Sequence, residues 1–314
     1  AFGHTALAVN DQVYGFGYFS FEDEGLIKSF VSNQMYYDLG LSDFRREVQL
    51  AEWQNRTFTV QTLALSETEK NQIIQYLEWH NLPENQSYWY DYFLNNCSTK
   101  IRDVINEAWR GLLEAEHSNL SGSTYFSETF PAKNQSLMNL GLVLAYGYPA
   151  YVDRTDWELM AFPVYLQNKI AEMSGLKVST STVLFQEVPQ PPLISWFKTH
   201  GALVLIFIIF FILLLFTTTR GMAQKALLII QSLIGCLILG FWLFSGHVVV
   251  GWNFNVLLFS PFAFLLFHYK SIQRLLITSY AVWLVLACWL GAWYFIPFWV
   301  LHMMALKRTK INPQ

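Results

Sequence analysis

Cys97 is the residue best placed for covalent chemistry. It follows an apolar, aromatic run, Tyr88 to Leu94, that reads as a buried strand and ends in Asn95 and Asn96. Beyond it, Ile101, Val104, Ile105, Ala108 and Trp109 recur at helical spacing, so the cysteine sits where a strand turns into a helix. Unpaired N–H groups and the positive end of the helix dipole lower a thiol's pKa there and favour thiolate. The same N–H groups suit the oxyanion that forms when a carbonyl is attacked. Most free cysteines are small buried hydrophobes, but Asn-Asn before Cys97 and Ser-Thr after it argue for a nucleophile.

A thiol nucleophile needs a base, and histidine has the pKa for the work near neutrality. Residues 1–200 offer His4, His80, His117 and His200. His80 ends a polar helix and His117 lies in a polar loop, so both are expected to be solvated. His200 abuts an apolar span and reads as interfacial. His4 differs, because Gly3-His4-Thr5 opens an apolar strand. A histidine on a strand, followed later by Asn-Cys at a helix start, is the order of a permuted papain-like thiol fold.

The elements that must hold these residues follow from periodicity. Residues 1–21 read as a β-hairpin turning at Asn10-Asp11. Helical spacing appears over Leu26 to Val31 and Phe44 to Trp53, and Arg56 to Leu63 alternates like a strand. Ser66-Glu67-Thr68-Glu69 is a capping box opening a helix to about His80. Gly111 to Ser123 reads as a helix end and loop. Helices are expected over Ser136 to Tyr146 and Trp157 to Met173. The chain opens on Ala1, already strand-like, so a removed upstream segment carrying a targeting signal and a first strand is expected.

Charge divides the chain. All 23 Asp and Glu lie before position 201, with 13 Lys and Arg, for a net −10; residues 201–314 hold seven bases and no acid. More than 110 residues without a carboxylate, filled with Leu, Ile, Phe and Trp, make a membrane domain. The expected division is a thiol domain over 1–186, a proline-rich connector over 187–200 and a polytopic membrane domain over 201–314. Spans are expected at Ala202 to Thr217, Ala226 to Phe244 and Leu275 to Phe295. A shorter run, Asn255 to His268, is interrupted by Pro261, and Pro297 to Leu306 either extends or breaks the last span. Arg220, Lys225, Lys270 and Arg274 mark cytoplasmic loops, which puts residues 1–200 and the loop Ser245 to Asn255 outside. The basic tail Lys307 to Lys310 fits four plain spans poorly, and a re-entrant or additional short span would mend this. Cys236 and Cys288 fall in apolar spans, so Cys97 has no disulfide partner in its own domain.

The chargeless loop adds His247, Asn253 and Asn255, which either reach the active site from the membrane side or, with Trp252, anchor the interface. Arg102 and Asp103 are adjacent and so point to different faces of a helix, in a structural role. The acidic soluble part argues against nucleic acid, no cluster has metal-ligand spacing, and no Gly-rich phosphate loop occurs, so no cofactor is implied.

The Asn-Cys motif and residue order resemble the lecithin:retinol acyltransferase group. Phe2 to Leu7, Val13-Tyr14, Tyr18 to Phe21, Asn55-Arg56 to Gln61, Asn95 to Asp103 and Asp153-Arg154 to Phe162-Pro163 resemble, more closely, a family of bacterial polytopic membrane proteins. His247, Asn253, Asn255 and Pro261 are similar too, extending the likeness over nearly the whole chain. That family includes Lnb, the lipoprotein intramolecular transacylase. The strand that usually precedes Gly-His is missing here. The resemblance implies an α+β permuted papain-like domain on the outer face of the cytoplasmic membrane, followed by about four transmembrane helices. It implies transfer of the sn-2 acyl chain of a diacylglyceryl-modified lipoprotein to the α-amino group of its N-terminal cysteine. Cys97 would form the thioester and His4 would move the protons. The Cys97 N–H with Asn95 or Asn96 would hold the oxyanion, and Tyr14, Asn95 and Asn96 are alternatives for orienting His4. The partners implied are diacylglyceryl lipoproteins or phospholipid, and membrane lipids. Two rivals remain at sequence level: a cell-envelope cysteine peptidase or amidase using the same dyad, and a non-enzymatic membrane scaffold with a buried Cys97. A membrane domain argues against the first, since a soluble substrate would need only one anchor.

Overall fold

The structure is a computed structural model that describes residues 3–19, 25–129, 137–173, 178–189, 191, 194, 201–216, 220–267, 269 and 271–307. His200 and the basic tail from 308 onward lie outside the described residues. The chain forms two compact units: Ala1–Ala132 with Val152–Gln190, and Lys133–Tyr151 with Pro191–Gln314. Among the described residues, 137–151 therefore group with the second unit although the first unit flanks them in sequence.

The first unit is mixed α and β. Strands β1 (Ala6–Val9) and β2 (Gln12–Tyr18) form the expected hairpin, turning through Asn10, whose φ of 56° is one asparagine tolerates. Helix α1 (Leu26–Val31) leads to β3 (Tyr36–Asp43), which pairs antiparallel with β2. Strand β5 (Ser87–Trp89) completes a four-stranded sheet in the order β1-β2-β3-β5. Helix α2 (Phe44–Trp53) starts on Asp43, whose carboxylate accepts from Arg45 and Arg46 N–H. Strand β4 (Phe58–Leu63) precedes α3 (Glu67–His80), which opens on the Ser66/Glu69 capping box. Helix α4 (Cys97–Ala108) turns Ile101, Val104, Ile105 and Ala108 onto Phe16, Leu39 and Leu77, and this buried cluster is the core.

Several elements depart from the sequence expectation. Strand β5 stops at Trp89 rather than Leu94. The Asp91 carboxylate captures the N–H groups of Phe93 and Leu94, and Asp91 pairs with Asn95, so the chain turns instead of extending. The stretch expected to be loop contains α5 (Leu112–His117) and β6 (Leu120–Thr124), followed by α6 (Tyr125–Thr129). The helix expected over Trp157 to Met173 is two helices, α8 (Asp156–Leu159) and α9 (Pro163–Glu172), because Pro163 cannot donate within a continuous helix and starts a new one. Strand β7 (Asp153–Thr155) pairs with β6, and β8 (Val178–Phe185) pairs with β4.

The second unit is helical. Helix α7 (Leu137–Ala145) is close to the one expected. Three stretches are long and apolar enough to cross a membrane, Gly221–Phe244, Val248–Leu266 and Ser271–Leu290, and Val204–Leu215 and Ile296–Leu306 are shorter apolar helices. The middle stretch is not one continuous α-helix: a 3-10 turn (Val248–Val250), a short α-helix (Asn255–Leu258) and a second 3-10 turn (Ala263–Phe267) follow one another. Its loosened backbone is satisfied by side chains. Gln231 donates to Leu258 O at 2.9 Å, Ser279 to Leu257 O at 2.7 Å, and Ser232 Oγ accepts from Phe264 N–H at 2.9 Å. Gly235 lies against the carbonyl of Phe259, where a Cβ would collide with backbone.

Candidate active site

Asn96 builds the start of α4. Its Oδ1 accepts from Ser98 N–H at 2.9 Å and Thr99 N–H at 3.0 Å, while Thr99 Oγ1 accepts from Asn96 N–H at 2.8 Å, a reciprocal cap. Both amide protons of Asn96 are also committed, to Tyr92 O at 2.7 Å and Ala161 O at 3.0 Å. The cap satisfies the second and third N–H groups of the helix. The first, that of Cys97, has no acceptor among the described residues. A free N–H beside a nucleophile at a helix N-terminus is where a developing oxyanion is best held.

His4 meets the thiol from the strand side. Its ring lies over two glycines of β2: a Cβ on Gly15 would stand 3.3 Å from His4 Nε2, and one on Gly17 would stand 3.3 Å from Cε1. Cys97 is half-buried, and its thiol and the imidazole form a hydrogen-bonded pair. Burial pushes the thiol's pKa up. The hydrogen bond and charge of His4 outweigh that, helped by the N–H of Thr5 and the hydroxyl of Ser98, and bring it below its ordinary 9.0. The imidazole is shifted oppositely: loss of water lowers its pKa, but the bond to Cys97 and the thiolate charge, with a smaller push from Glu47, carry it above 6.5. Each partner thus favours the other's charged form. Ser98 is fully buried and its hydroxyl lies 2.9 Å from that of Thr5.

Cys97 opens onto a cleft of about 60 Å³ walled by Tyr90, Tyr92, Phe93, Phe162 and Pro163. Tyr90 is held neutral, because burial and then the charges of Tyr37 and Cys97 push its pKa far up. Its hydroxyl is therefore a donor at any working pH. The wall is aromatic and apolar.

The remaining sequence candidates fall elsewhere. Asn96 is no oxyanion donor, since its side chain is fully spent. Asn95 donates its amide to Trp89 O. Tyr14 pairs with Leu7 in the register of β1 and β2, and both pack on the core, so Tyr14 points away from the face on which Gly15 meets His4. No side chain of these three bonds His4 among the described residues. Asn253 donates to Leu144 O and Ala145 O, and Asn255 to Leu144 O, so both fasten the end of α7 within the second unit. His247 is half-buried there, its N–H bonded to Ser245 Oγ at 3.2 Å.

Three other readings are corrected. His80 is buried, bonded to Asn85 O at 2.9 Å and packed edge-on against Phe16. His117 is buried at the end of α5, 3.9 Å from Asp156. Arg102 and Asp103 do meet: the long arginine folds back to pair with its neighbour at 2.7 Å, stacks 3.9 Å from the centre of the Trp157 ring and donates to Trp157 O. Thr5, Ser98, Tyr90 and the two β2 glycines escaped the sequence reading. The Ser-Thr after Cys97 marked the first turn of α4, but nothing local marked the others.

Residues 1–131 match the family model described as the Lnb N-terminal periplasmic domain. That match supports the Lnb family and suggests a role in lipoprotein maturation; with the three candidate spans it supports a membrane protein with a periplasmic domain. It ends before Asp153 to Pro163 and the membrane residues, so the likeness seen there in sequence lies outside it. No curated protein and no solved structure gives a match to the chain.

Proposed function

We propose that this protein is a lipoprotein intramolecular transacylase. It moves the sn-2 acyl chain of a diacylglyceryl lipoprotein onto the α-amino group of the lipoprotein's N-terminal cysteine, on the outer face of the cytoplasmic membrane. The observation that carries the reading is the paired Cys97 thiol and His4 imidazole, each shifted toward its charged form, at a helix start whose first N–H has no acceptor among the described residues. His4 lies just ahead of β1 and not within it, and its order in the chain, before the cysteine helix, also fits a permuted papain-like domain.

The Cys97 thiolate attacks the ester carbonyl, and the negative charge moves to the carbonyl oxygen, held by the Cys97 N–H. Collapse breaks the bond to the glyceryl oxygen, which takes the proton from the His4 imidazolium and leaves as the lyso-glyceryl hydroxyl. The acyl group now sits on sulfur as a thioester. The α-amine attacks that carbonyl, His4 takes the amine proton, and collapse returns the thiolate and leaves an amide. His4 ends as imidazolium, ready for the next turn.

The test is mass spectrometry of a model lipoprotein's N-terminal peptide from cells lacking other N-acylating enzymes. With the wild-type protein one acyl chain moves to the amino terminus, and with Cys97→Ser the diacyl form remains. Diacyl peptide in both samples overturns the reading.

A further inference from the structure

Large apolar side chains are exposed around one end of the four-stranded sheet. Tyr18 at the end of β2 is 46% exposed, Tyr36 at the start of β3 66% and Trp89 at the end of β5 37%. Antiparallel pairing puts these three at the same end, since Tyr18 pairs with Asp38 and Tyr36 with Trp89. His4 lies at this end too, over Gly17, and the Asp91–Asn96 turn leaves from it toward Cys97. In that turn Leu94 is 54% exposed. Helix α1, between β2 and β3, buries no residue at all and presents Ile27 (80% exposed) and Phe30.

Helix α1 is not loosely attached. The Asn33 carbonyl, just after it, accepts from Trp89 Nε1 at 2.6 Å, and the Asn33 amide donates to Asp91 at 2.7 Å. Asp91 holds the turn that leads to Cys97. The exposed apolar helix is thus tied by two side chains to the segment carrying the nucleophile. Exposed apolar surface of this kind, hydrogen-bonded to the turn that precedes a reactive residue, marks an interaction surface.

We infer that α1, with Tyr36, Trp89 and Leu94, seats this end of the sheet in the headgroup region of the lipid bilayer. The same chain carries three candidate membrane spans, which would keep a bilayer within reach. Tyr and Trp are the residues enriched at that interface. Lys28, exposed between Ile27 and Phe30, adds a cation for lipid phosphate. A lipid-anchored substrate would then meet Cys97 without leaving the membrane. That last step rests on the function proposed above; the seating does not.

The experiment uses the full chain in nanodiscs of phosphatidylethanolamine and phosphatidylglycerol, in a Cys97→Ser, Cys236→Ser, Cys288→Ser background. Single spin labels go at Ile27→Cys, Phe30→Cys and, as the reference at the far end of β2, Asp11→Cys. Power saturation with oxygen and with a polar nickel chelate reads depth for each. The expected result is an oxygen-to-nickel accessibility ratio several-fold higher at 27 and 30 than at 11. Equal, water-like ratios at all three overturn the inference. A second arm compares Ile27→Asp/Phe30→Asp with wild type in otherwise native protein. Acyl transfer from bilayer substrate falls about tenfold, while iodoacetamide alkylation of Cys97 changes less than about twofold. Unchanged transfer in a working assay also overturns it; if wild type transfers no acyl chain, the depth measurement still decides the seating by itself.

Discussion

The His4 imidazole occupies space that Gly15 leaves empty: a Cβ at position 15 would stand 3.3 Å from Nε2. The backbone of Gly15 does not require glycine, since its φ is not positive, so space alone forces the choice. Gly15→Ala should therefore displace the base by a few tenths of an ångström and leave the sheet intact. Misplacement on that scale costs catalysis rather than stability: kcat for acyl transfer should fall about threefold to thirtyfold. Thermal unfolding should move by no more than about 3 °C. A change in Tm with unaltered kcat would show that the glycine serves the strand and not the histidine.

The pH dependence of Cys97 reactivity separates the two opposing influences on its thiol. In the native protein the bond to His4 outweighs burial and holds the pKa below 9.0, so the midpoint of the alkylation rate against pH lies below that value. In His4→Ala burial is still opposed by Thr5 N–H and the Ser98 hydroxyl but no longer by the imidazole, and the midpoint should rise. The imidazole's pKa is raised above 6.5 while the thiol's is lowered below 9.0, so the two titrations are coupled, and acyl transfer should show an acid limb and a basic limb that belong to the pair. A midpoint that stays put in His4→Ala would mean that the two side chains do not share a proton.

Ser98 and Thr5 make the second tier of this control. Their hydroxyls lie 2.9 Å apart, and the Ser98 hydroxyl also reaches the thiol. Ser98→Ala should raise the alkylation midpoint by less than His4→Ala does, because a neutral donor stabilises a thiolate less than a cation. The His4 contact survives, so transfer should fall about twofold to tenfold and not vanish. Equal shifts in the two variants would place the serine, not the histidine, in charge of the thiol.

Local signals carried the sequence reading as far as local signals go. The Ser66 cap, the Asn10 turn and the start of a helix at Cys97 each depend on residues within four of one another, and each stands where expected. Strands β3 and β8 went unseen. The first reads Tyr-Tyr-Asp-Leu-Gly-Leu-Ser-Asp, with Gly40 open because the Tyr18 ring lies on it, and the second is paired with a strand more than a hundred residues earlier. His80 and His117 were read from polar neighbours in sequence, yet tertiary packing buries both. Cys97 and His4 were legible as a pair because thiol chemistry demands a base. The platform beneath His4 was not, since what matters at Gly15 and Gly17 is the side chain they lack.

Asp91 offers the sharpest test of how the turn before Cys97 is held. Its Oδ1 accepts from Phe93 and Leu94 N–H at 2.9 and 2.8 Å, and Oδ2 accepts from Asn33 at 2.7 Å, all within a site where Asp91 is 5% exposed. Asp91→Ala strands three donors, and should destabilise the soluble unit by roughly 3 kcal/mol and slow alkylation of Cys97. Asp91→Asn should be far milder. Its oxygen can still serve the two backbone N–H groups, and its new amide would face Asn33, whose own Oδ1 is buried with no partner among the described residues. A flip of the Asn33 amide turns that idle oxygen into the acceptor the variant needs. Thermal unfolding of both variants in detergent checks this. If Asp91→Asn is as damaging as Asp91→Ala, the carboxylate's charge, and not its pattern of acceptors, holds the turn.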